Sequence, residues 1–496
     1  MKKFCFYSFL LTVWLATACK SPQGHPEAAV EAAKPNVLFI AVDDLRPELG
    51  AYGATHIQSP HMDALAEEGM LFERAYCNVP VCGSSRASLL SGIRPGWHHF
   101  GGPYDTYLQK DYPGIPSLPM HFKNNGYQTV SLGKIYHHSD DDSLAWHASW
   151  RPTSYNGSGW RDYVTEENIA LTKKAKGARG MPWERVDVPD TAYYDGRIAS
   201  KAIEEMQRLN TKGKPFFLAV GFLKPHLPFN APEKYWQLYD SMQIALPANY
   251  QRPATTPEQA YHQFGELRHY SSVPEKGPVS EKMAKQLIQG YYACVSYTDA
   301  QIGRLMEALK ANGLAENTIV ILWGDHGWNL GDHKLWCKHC NFASSLHTPV
   351  LLKAPGYPGG QRTGTIVEYV DIYPTLADLA GLPLPAHLQG ESMQPLLEGK
   401  NREKDYAISK YYNALTLVKG ELFYTEFINK KDEIKARMLF DHSTDPLELE
   451  NLAEKPENSA KVAELSQFLR QHRGKGFFEK RNKENQDKSL SHSTKK

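Results

Sequence analysis

Continuous apolar runs alternate along the chain with stretches in which apolar side chains recur every three or four positions. The runs that are typical of strands buried on both faces of a sheet are residues 36–42, 215–222 and 318–323, and residues 128–132 are a short strand candidate. The periodic stretches that predict helices are residues 61–72, 199–209 and 281–309, the last followed by an Asn312-Gly313 cap. Strands that alternate with helices predict an α/β domain around a large, mostly parallel sheet.

The pattern changes near residue 405, where short β-like runs precede a Glu- and Lys-rich helical stretch at residues 459–472. We therefore expect a main domain over residues 35–400 and a small C-terminal α+β subdomain over residues 401–473. Residues 474–496 are mostly charged and polar, a composition that predicts a disordered tail.

The N-terminal segment predicts export. A positive start precedes an apolar run over residues 4–18, which is typical of a bacterial signal sequence and shorter than the roughly 20 apolar residues of a membrane span. Small residues before Cys19 resemble a lipobox, although Ala16 stands where Leu is usual. We expect an export signal over residues 1–19, a lipid anchor at Cys19, a linker over residues 20–34, and a periplasmic or outer-membrane location in a bacterium. Cleavage without lipidation is the alternative.

Composition excludes several classes of protein. The 496 residues carry 56 Lys and Arg against 55 Asp and Glu, a net charge of +1, which argues against a general nucleic-acid binder. With 41% hydrophobic and 22% charged residues, the chain can bury a large core and is not intrinsically disordered. Seven cysteines in this length do not make a disulfide scaffold.

Acidic residues directly follow two of the predicted strands. Asp43 and Asp44 come after the first apolar run, and Asp325 and His326 come after the last. Since ligands bind at the carboxyl ends of the strands of an open parallel sheet, the two pairs predict one shared site. Hard cations such as Ca²⁺ bind mainly carboxylate oxygens, so the two pairs together favour a divalent-cation site. Taken singly, either pair is better explained as the cap of a following turn or helix.

One segment carries a chemical signature. Residues 79–92 read VPVCGSSRASLLSG and resemble the signature of type I sulfatases, in which a Cys is followed two residues on by Pro or Ala and four residues on by Arg. The resemblance implies that Cys82 is oxidised to formylglycine, an aldehyde whose hydrate is the nucleophile, with Arg86 as its partner. The oxidation needs a formylglycine-generating enzyme or an anaerobic sulfatase-maturating enzyme. Ser84 stands where Pro or Ala is usual, and a buried Cys at the start of a helix is the alternative.

Further segments are similar to iduronate-2-sulfatases, from about residue 36 to about residue 453. They are residues 36–47 (NVLFIAVDDLRP), 133–137 (GKIYH), 219–229 (AVGFLKPHLPF), 325–333 (DHGWNLGDH) and 336–342 (WCKHCNF). The resemblance implies an alkaline-phosphatase-like α/β sandwich with a small C-terminal subdomain. It also implies a sulfatase that acts on a sulfated oligosaccharide, at the 2-O-sulfate of a terminal uronic acid.

The resemblance also assigns roles within these segments. It implies that Ca²⁺, with Mg²⁺ as the alternative, is bound by Asp43, Asp44, Asp325, His326 and the hydrated aldehyde at Cys82. Arg86, Lys134 and Lys338 would supply positive charge around the sulfuryl oxygens, where negative charge accumulates during cleavage. His226 is the candidate acid that protonates the leaving alcohol, and His137 is the candidate base for the release of sulfate.

Two other functions fit the same residues. A phosphomonoesterase, phosphodiesterase or phosphonate hydrolase of the same superfamily shares this chemistry, and a catalytically inactive carbohydrate-binding lipoprotein would keep the fold. Cys337 and Cys340 flank Lys338 in a C-x-x-C, which suits a loop-shaping pair, a redox pair or free thiols, whereas a zinc site lacks its other ligands. Cys77 and Cys294 are expected in the core.

Overall fold

The computed structural model describes residues 1, 34–101, 105–154, 159–174, 177–474 and 477–479. Nearly all of the predicted export signal and linker, including Cys19, lies outside these residues, as does most of the charged tail. The predicted domain boundaries stay predictions. Within the described part of the chain, no helix is both long enough and apolar enough to cross a membrane.

The strands and helices follow the predicted alternation. The strands are β1 (Asn36–Val42), β2 (Met70–Tyr76), β3 (Gln128–Gly133), β4 (Ala148–Trp150), β5 (Trp183–Val186), β6 (Phe216–Phe222), β7 (Phe229–Pro232), β8 (Thr318–Gly324), β9 (Asn329–Leu330), β10 (Trp336–Cys337), β11 (His347–Lys353), β12 (Gln361–Thr363), β13 (Val367–Glu368), β14 (Tyr406–Tyr411), β15 (Ala414–Lys419), β16 (Leu422–Ile428) and β17 (Ile434–Asp441). The helices are α1 (Pro60–Glu68), α2 (Cys82–Ser91), α3 (Leu108–Asp111), α4 (Leu118–Asn124), α5 (Glu166–Lys173), α6 (Tyr194–Asn210), α7 (Glu233–Gln237), α8 (Gly265–Arg268), α9 (Glu281–Ala311), α10 (Ala343–Leu346), α11 (Ile372–Leu379), α12 (Gln394–Leu397) and α13 (Ser459–His472).

The main sheet has nine strands in the order β12-β2-β11-β8-β1-β6-β3-β4, with β13 paired to β2. β1 lies near the centre and pairs in parallel with β6 and β8, and β3 extends the parallel set between β6 and β4. β11 runs antiparallel to both of its neighbours, β8 and β2. The prediction of a large, mostly parallel sheet is therefore confirmed.

The apolar runs are continuous because both faces of the sheet are covered. Alternate side chains of β1 enter two separate cores. Leu38, Ile40 and Val42 belong to the first, and Val37, Phe39 and Ala41 belong to the second. α6 and α9 contribute to the first core, and α4 and α11 contribute to the second. A strand buried on both faces has no polar alternation, which is the pattern that the sequence shows.

The predicted helix over residues 61–72 is wrong in its last part. α1 ends before Gly69, and β2 begins directly after it. Gly69 lies against β11, where a Cβ would come within 2.6 Å of the Leu352 carbonyl oxygen. β2 then pairs with β11 through Leu71 and Phe72. The helical period continues across this junction by chance, and pairing within the sheet overrides it.

The C-terminal elements form the predicted α+β unit. Strands β14 to β17 make an antiparallel meander. Leu417, Tyr424 and Leu439 of these strands share a core with Leu465 and Leu469 of α13.

Candidate active site

The carboxyl ends of β1 and β8 bring the two acidic pairs together. The strands are parallel neighbours in register, so Asp43 and Asp325 leave the sheet side by side. The backbone N–H of Asp44 donates to Oδ1 of Asp325 at 2.9 Å. These three residues and His326 have no exposed surface. The structure thus places the four residues at one edge of the sheet, as their positions at strand ends predict.

Cys82, the first residue of α2, lies against this cluster. Its Sγ is 3.2 Å from Nε2 of His326 and 3.8 Å from Oδ1 of Asp44. Ligand atoms of Asp43, Asp44, Cys82 and His226 all lie within 4.8 Å of one another, and so do those of Cys82, Asp325 and His326. A set of buried carboxylate oxygens beside an imidazole suits a divalent cation.

Arg86 lies one turn along α2 and is completely buried. Its Nε donates to Oδ2 of Asp325 at 2.9 Å, and a terminal nitrogen donates to Oδ1 of Asp43 at 3.0 Å. Lys134, which follows β3, donates to the other oxygen of Asp43. The guanidinium therefore bridges two carboxylates of the cluster. The interaction that the structure gives between Arg86 and Cys82 is electrostatic.

The pKa values of the two neighbouring aspartates shift in opposite directions. Burial alone would raise the pKa of Asp43, but the charges of Lys134 and Arg86 hold it well below its usual range. Burial raises the pKa of Asp44 well above its usual value, and Lys338 opposes that shift without cancelling it. A positive charge added beside Asp44 would oppose the effect of burial on its pKa.

Glu266, in α8, connects two of the predicted residues. Its Oε1 accepts a hydrogen bond from Nζ of Lys338 at 3.1 Å and lies 3.0 Å from Nε2 of His226. Lys338 also donates to both oxygens of Asp44, at 2.9 and 3.1 Å. Burial would raise the pKa of Glu266, but Lys338 and His226 hold it well below its usual range. In return, the charge of Glu266 acts to raise the pKa of both His226 and Lys338.

His226 follows β6 in a loop whose peptide bonds before Pro225 and Pro228 are both cis. Its Nδ1 lies 2.6 Å from the backbone carbonyl oxygen of Leu227, so Nδ1 is assigned a proton. Nε2, beside Glu266, is then the nitrogen available for proton exchange. Burial lowers the pKa of His226 to about 4, whereas Glu266 acts in the opposite direction.

A cavity of about 500 Å³ adjoins these groups. Its walls include five predicted residues, Cys82, Lys134, His137, His226 and Lys338. Burial, with the charge of Lys134, lowers the pKa of His137 to about 2. The imidazole is therefore neutral and able to accept a proton, but so low a pKa makes it a weak base, and the role of His137 as the base stays a prediction.

The same cavity contains residues that sequence reasoning missed. They are Arg151, Trp160, Arg161, Arg179 and Glu266. All lie in loops or short elements, where no apolar period marks them. The concentration of arginines between residues 151 and 179 is the signal that could have identified most of them, whereas nothing in the sequence marks Glu266.

All five cysteines in the described residues are buried and free. Cys337 and Cys340 are therefore free thiols in this structure, which is one of the alternatives for the pair. Sγ of Cys340 lies 3.1 Å from Oγ of Ser345, and burial raises the pKa of both thiols. Cys77 and Cys294 lie in the two main cores, as expected.

Comparison with known proteins identifies relatives that match most of the chain. Residues 35–382 match the family model described as sulfatase, and residues 331–475 match the model of the C-terminal region of N-sulphoglucosamine sulphohydrolase. Iduronate 2-sulfatase of Mus musculus is 34% identical over 445 residues, which cover 80% of this chain and 78% of that protein. A sulfatase of Formosa agariphila is 30% identical over 472 residues, which cover 93% of this chain and 91% of that protein.

Solved structures share the architecture. A phosphonate monoester hydrolase from Silicibacter pomeroyi superposes with a TM-score of 0.72 at 23% identity, over 89% of this chain and 95% of that one. A 2-O GAG sulfatase superposes with a TM-score of 0.68 at 21% identity, over 92% of this chain and 94% of that one. These similarities show the fold alone, and they confirm the predicted alkaline-phosphatase-like α/β sandwich.

Proposed function

The chain belongs to the sulfatase family and is a sulfuric ester hydrolase, and we propose that it removes the 2-O-sulfate of a terminal uronic acid from a sulfated glycan. The observation that carries the proposal is the cavity beside Cys82, in which buried lysines, carboxylates and histidines meet. Iduronate 2-sulfatases of mouse and human, matched over 80% and 79% of this chain, support the choice of substrate.

Cys82 is proposed to reach its active form through oxidation to formylglycine by a formylglycine-generating or anaerobic sulfatase-maturating enzyme. Burial raises the pKa of the unmodified thiol to about 12, so almost no thiolate forms at neutral pH. Because the thiolate is the reactive form of cysteine, unmodified Cys82 is a poor nucleophile in this position. The hydrated aldehyde would place a hydroxyl group at the same point.

The residues present fit a divalent cation, Ca²⁺ or Mg²⁺. Asp43, Asp44, Asp325 and His326 would hold it, and the raised pKa of Asp44 is the feature that its charge would relieve. When bound, the cation would supply positive charge beside the nucleophile and the sulfuryl oxygens.

The chain's own residues supply the other steps. Lys134 and Lys338, both buried, are placed to bind the sulfuryl oxygens and stabilise the charge that develops there. His226 would donate a proton from Nε2 to the leaving sugar oxygen, which becomes a hydroxyl group, and Glu266 at 3.0 Å opposes the effect of burial on the His226 pKa. His137 would accept the proton that is released when sulfate leaves and the aldehyde is restored.

We further propose, from the N-terminal sequence, that the enzyme is exported as a bacterial lipoprotein. Periplasmic or outer-membrane attachment through Cys19 would place the cavity where sulfated oligosaccharides arrive from outside the cell.

A panel of defined substrates tests the proposal. The matured wild type is assayed on disaccharides with one sulfate at the uronate 2-O, the glucosamine N or the glucosamine 6-O position, with Cys82→Ala as the inactive control. Because a phosphonate monoester hydrolase shares the fold, aryl phosphonate and phosphate esters complete the panel. We expect the highest kcat/KM on the 2-O-sulfated uronate. A higher value on either glucosamine sulfate or on a phosphonate ester would contradict the proposal.

A further inference from the structure

Two arginines of the cavity wall, Arg161 and Arg179, have no carboxylate partner among the described residues. Arg151, the third arginine of the cavity wall, also lacks a carboxylate partner among the described residues, but its terminal nitrogens donate to the backbone carbonyl oxygens of Tyr136 and His137. Arg86 binds Asp43 and Asp325. The positive charge of Arg161 and Arg179 is therefore available to a ligand group that enters the cavity.

Their described contacts leave most of their donors unused. Arg179 donates to the backbone carbonyl oxygen of Glu266 at 2.9 Å, and its guanidinium lies 4.9 Å from the ring centre of Tyr270. The guanidinium of Arg161 lies 4.7 Å from the ring centre of Trp160, and its buried Nε has no hydrogen-bond partner among the described residues. A guanidinium has five N–H donors.

Both arginines lie on the His226 side of the cavity. The Arg161 guanidinium lies over the ring of Trp160. That ring stands edge-on to the ring of His226, with 5.3 Å between the ring centres. The backbone carbonyl oxygen of Glu266 accepts a hydrogen bond from Arg179. Its carboxylate oxygen Oε1 lies 3.0 Å from Nε2 of His226. His226 is the proposed proton donor to the leaving alcohol, so groups beside it face the sugar rather than the sulfate.

The two lysines of the cavity are already paired with carboxylates within the protein. Lys134 is paired with Asp43, and Lys338 is paired with Asp44 and Glu266. Apart from Arg151, which donates to backbone carbonyl oxygens, the unpaired arginine charge lies in the part of the cavity that would hold the sugar. A partly desolvated cation without a partner is unfavourable, so an anionic group on that sugar would stabilise the complex.

We propose that Arg161 and Arg179 form a carboxylate-binding subsite, which recognises the uronate group of the sugar that carries the scissile sulfate. This inference rests on the proposed function, since it assigns the residues that select a uronic acid. The planar fork of a guanidinium matches a carboxylate with two parallel hydrogen bonds. The aromatic rings beneath both guanidinium groups hold them in place.

Paired substrates test the subsite. We compare a 2-O-sulfated uronate disaccharide with the same disaccharide after reduction of its carboxyl group to the alcohol, in the wild type and in Arg161→Gln and Arg179→Gln. We expect each variant to lower the uronate-to-alcohol ratio of kcat/KM by about ten- to a hundredfold, the size of a charged hydrogen bond. Arg179→Lys should recover part of the ratio. Arg208 is an exposed arginine on α6. Arg208→Gln is therefore the matched control and should keep the wild-type ratio.

An unchanged ratio in both variants, or equal losses on the two substrates, would overturn the subsite. A wild type that desulfates neither disaccharide would count against the proposed function instead. In that case the inhibition of aryl sulfate hydrolysis by methyl glucuronide and by methyl glucoside tests the arginines separately. We expect stronger inhibition by the glucuronide, and a loss of this preference in both variants. Equal inhibition of the wild type by the two glycosides would overturn the subsite.

Discussion

At the scale of single residues, each buried cation of the site is held by a carboxylate of the proposed metal cluster. Arg86 lies between Asp43 and Asp325, and Lys338 lies between Asp44 and Glu266. The sequence predicts Lys338 and the aspartates because they lie in segments with a recognisable order. It does not predict Glu266, because a short helix in a long irregular region brings that residue into place, and only the folded chain shows the contact.

Loss of one metal-site carboxylate should remove the cation and the activity together. Asp325→Asn keeps the size of the side chain but lacks the charge that Arg86 and a cation require. We expect bound Ca²⁺ or Mg²⁺, measured by elemental analysis of the purified protein, to fall below stoichiometric amounts, with sulfatase activity lost. Glu258→Gln, an exposed carboxylate paired with Arg252, is the control. Asp325→Asn with normal metal content and normal turnover would remove Asp325 from the site.

Proton donation by His226 should depend on the leaving group. A general acid typically contributes about 10²–10⁴-fold, and a sugar alcohol needs its proton far more than nitrophenolate does. His226→Ala should therefore lose much more kcat/KM on a sulfated disaccharide than on an aryl sulfate. Lys338→Ala should slow both substrates alike, since Lys338 acts on the sulfuryl group. Equal losses on the two substrates in His226→Ala would mean that His226 positions the sulfate.

At the scale of elements, sequence patterns predict what local burial determines and miss what neighbours determine. The strands of the sheet centre are recognisable because both faces are covered, and α9 ends near its predicted cap at Asn312. β2 is missed because only its pairing with β11 distinguishes it from a continued helix. The start of α1 also depends on a neighbouring element. Its N-cap residue Ser59 makes no side-chain capping bond, and the cap comes from another helix.

Asp299 of α9 is that cap. Its carboxylate accepts hydrogen bonds from the backbone N–H groups of His61, at 3.1 Å, and Met62, at 2.7 Å. Asp299→Ala should lower the free energy of unfolding by about 1–3 kcal/mol, because two buried donors lose their acceptor. Asp299→Asn, which keeps an acceptor, should lose less. Equal stability of Asp299→Ala and the wild type in urea unfolding would contradict this role.

The pH dependence of stability gives a second measurement on Asp299. Burial raises its pKa from 3.8 to about 7 in the folded protein. Between these values the folded state holds a proton that the unfolded chain releases. The contribution of Asp299 to stability therefore falls as the pH rises from about 4 to about 7, and Asp299→Asn should show a smaller fall. The same slope in both proteins would contradict the assignment.

At the scale of the whole molecule, the C-terminal sheet contacts the segment that leads to Cys82. The backbone N–H of Lys410 in β14 donates to the carbonyl oxygen of Asn78 at 2.8 Å, and the Asn78 side chain donates to the Ile408 carbonyl oxygen, also at 2.8 Å. Glu368 accepts from Asn78 at 2.6 Å and from Arg94 at 3.0 Å. The sequence predicts both units, but not this junction, because no local pattern records contacts between distant segments.

Glu368 should be essential to this junction. Its carboxylate is buried and also pairs with Lys404 at 2.7 Å. Glu368→Gln leaves Arg94 without its carboxylate partner, whereas Lys404 keeps Asp371, and breaking a buried pair costs about 3–5 kcal/mol. We expect a lower Tm by calorimetry, whereas Arg252→Gln at an exposed pair should change it little. An unchanged Tm in Glu368→Gln would show that the junction does not stabilise the fold.

The most direct test of the central claim is the mass of the peptide that contains Cys82, taken from enzyme whose sulfatase activity has been measured. Expression with and without a maturation enzyme gives two preparations of the same chain. Conversion to formylglycine replaces the sulfur and two hydrogens of the cysteine with one oxygen. We predict that activity rises in proportion to the fraction of peptide with that mass. Full activity in a preparation whose Cys82 peptide keeps an unmodified thiol would contradict the account.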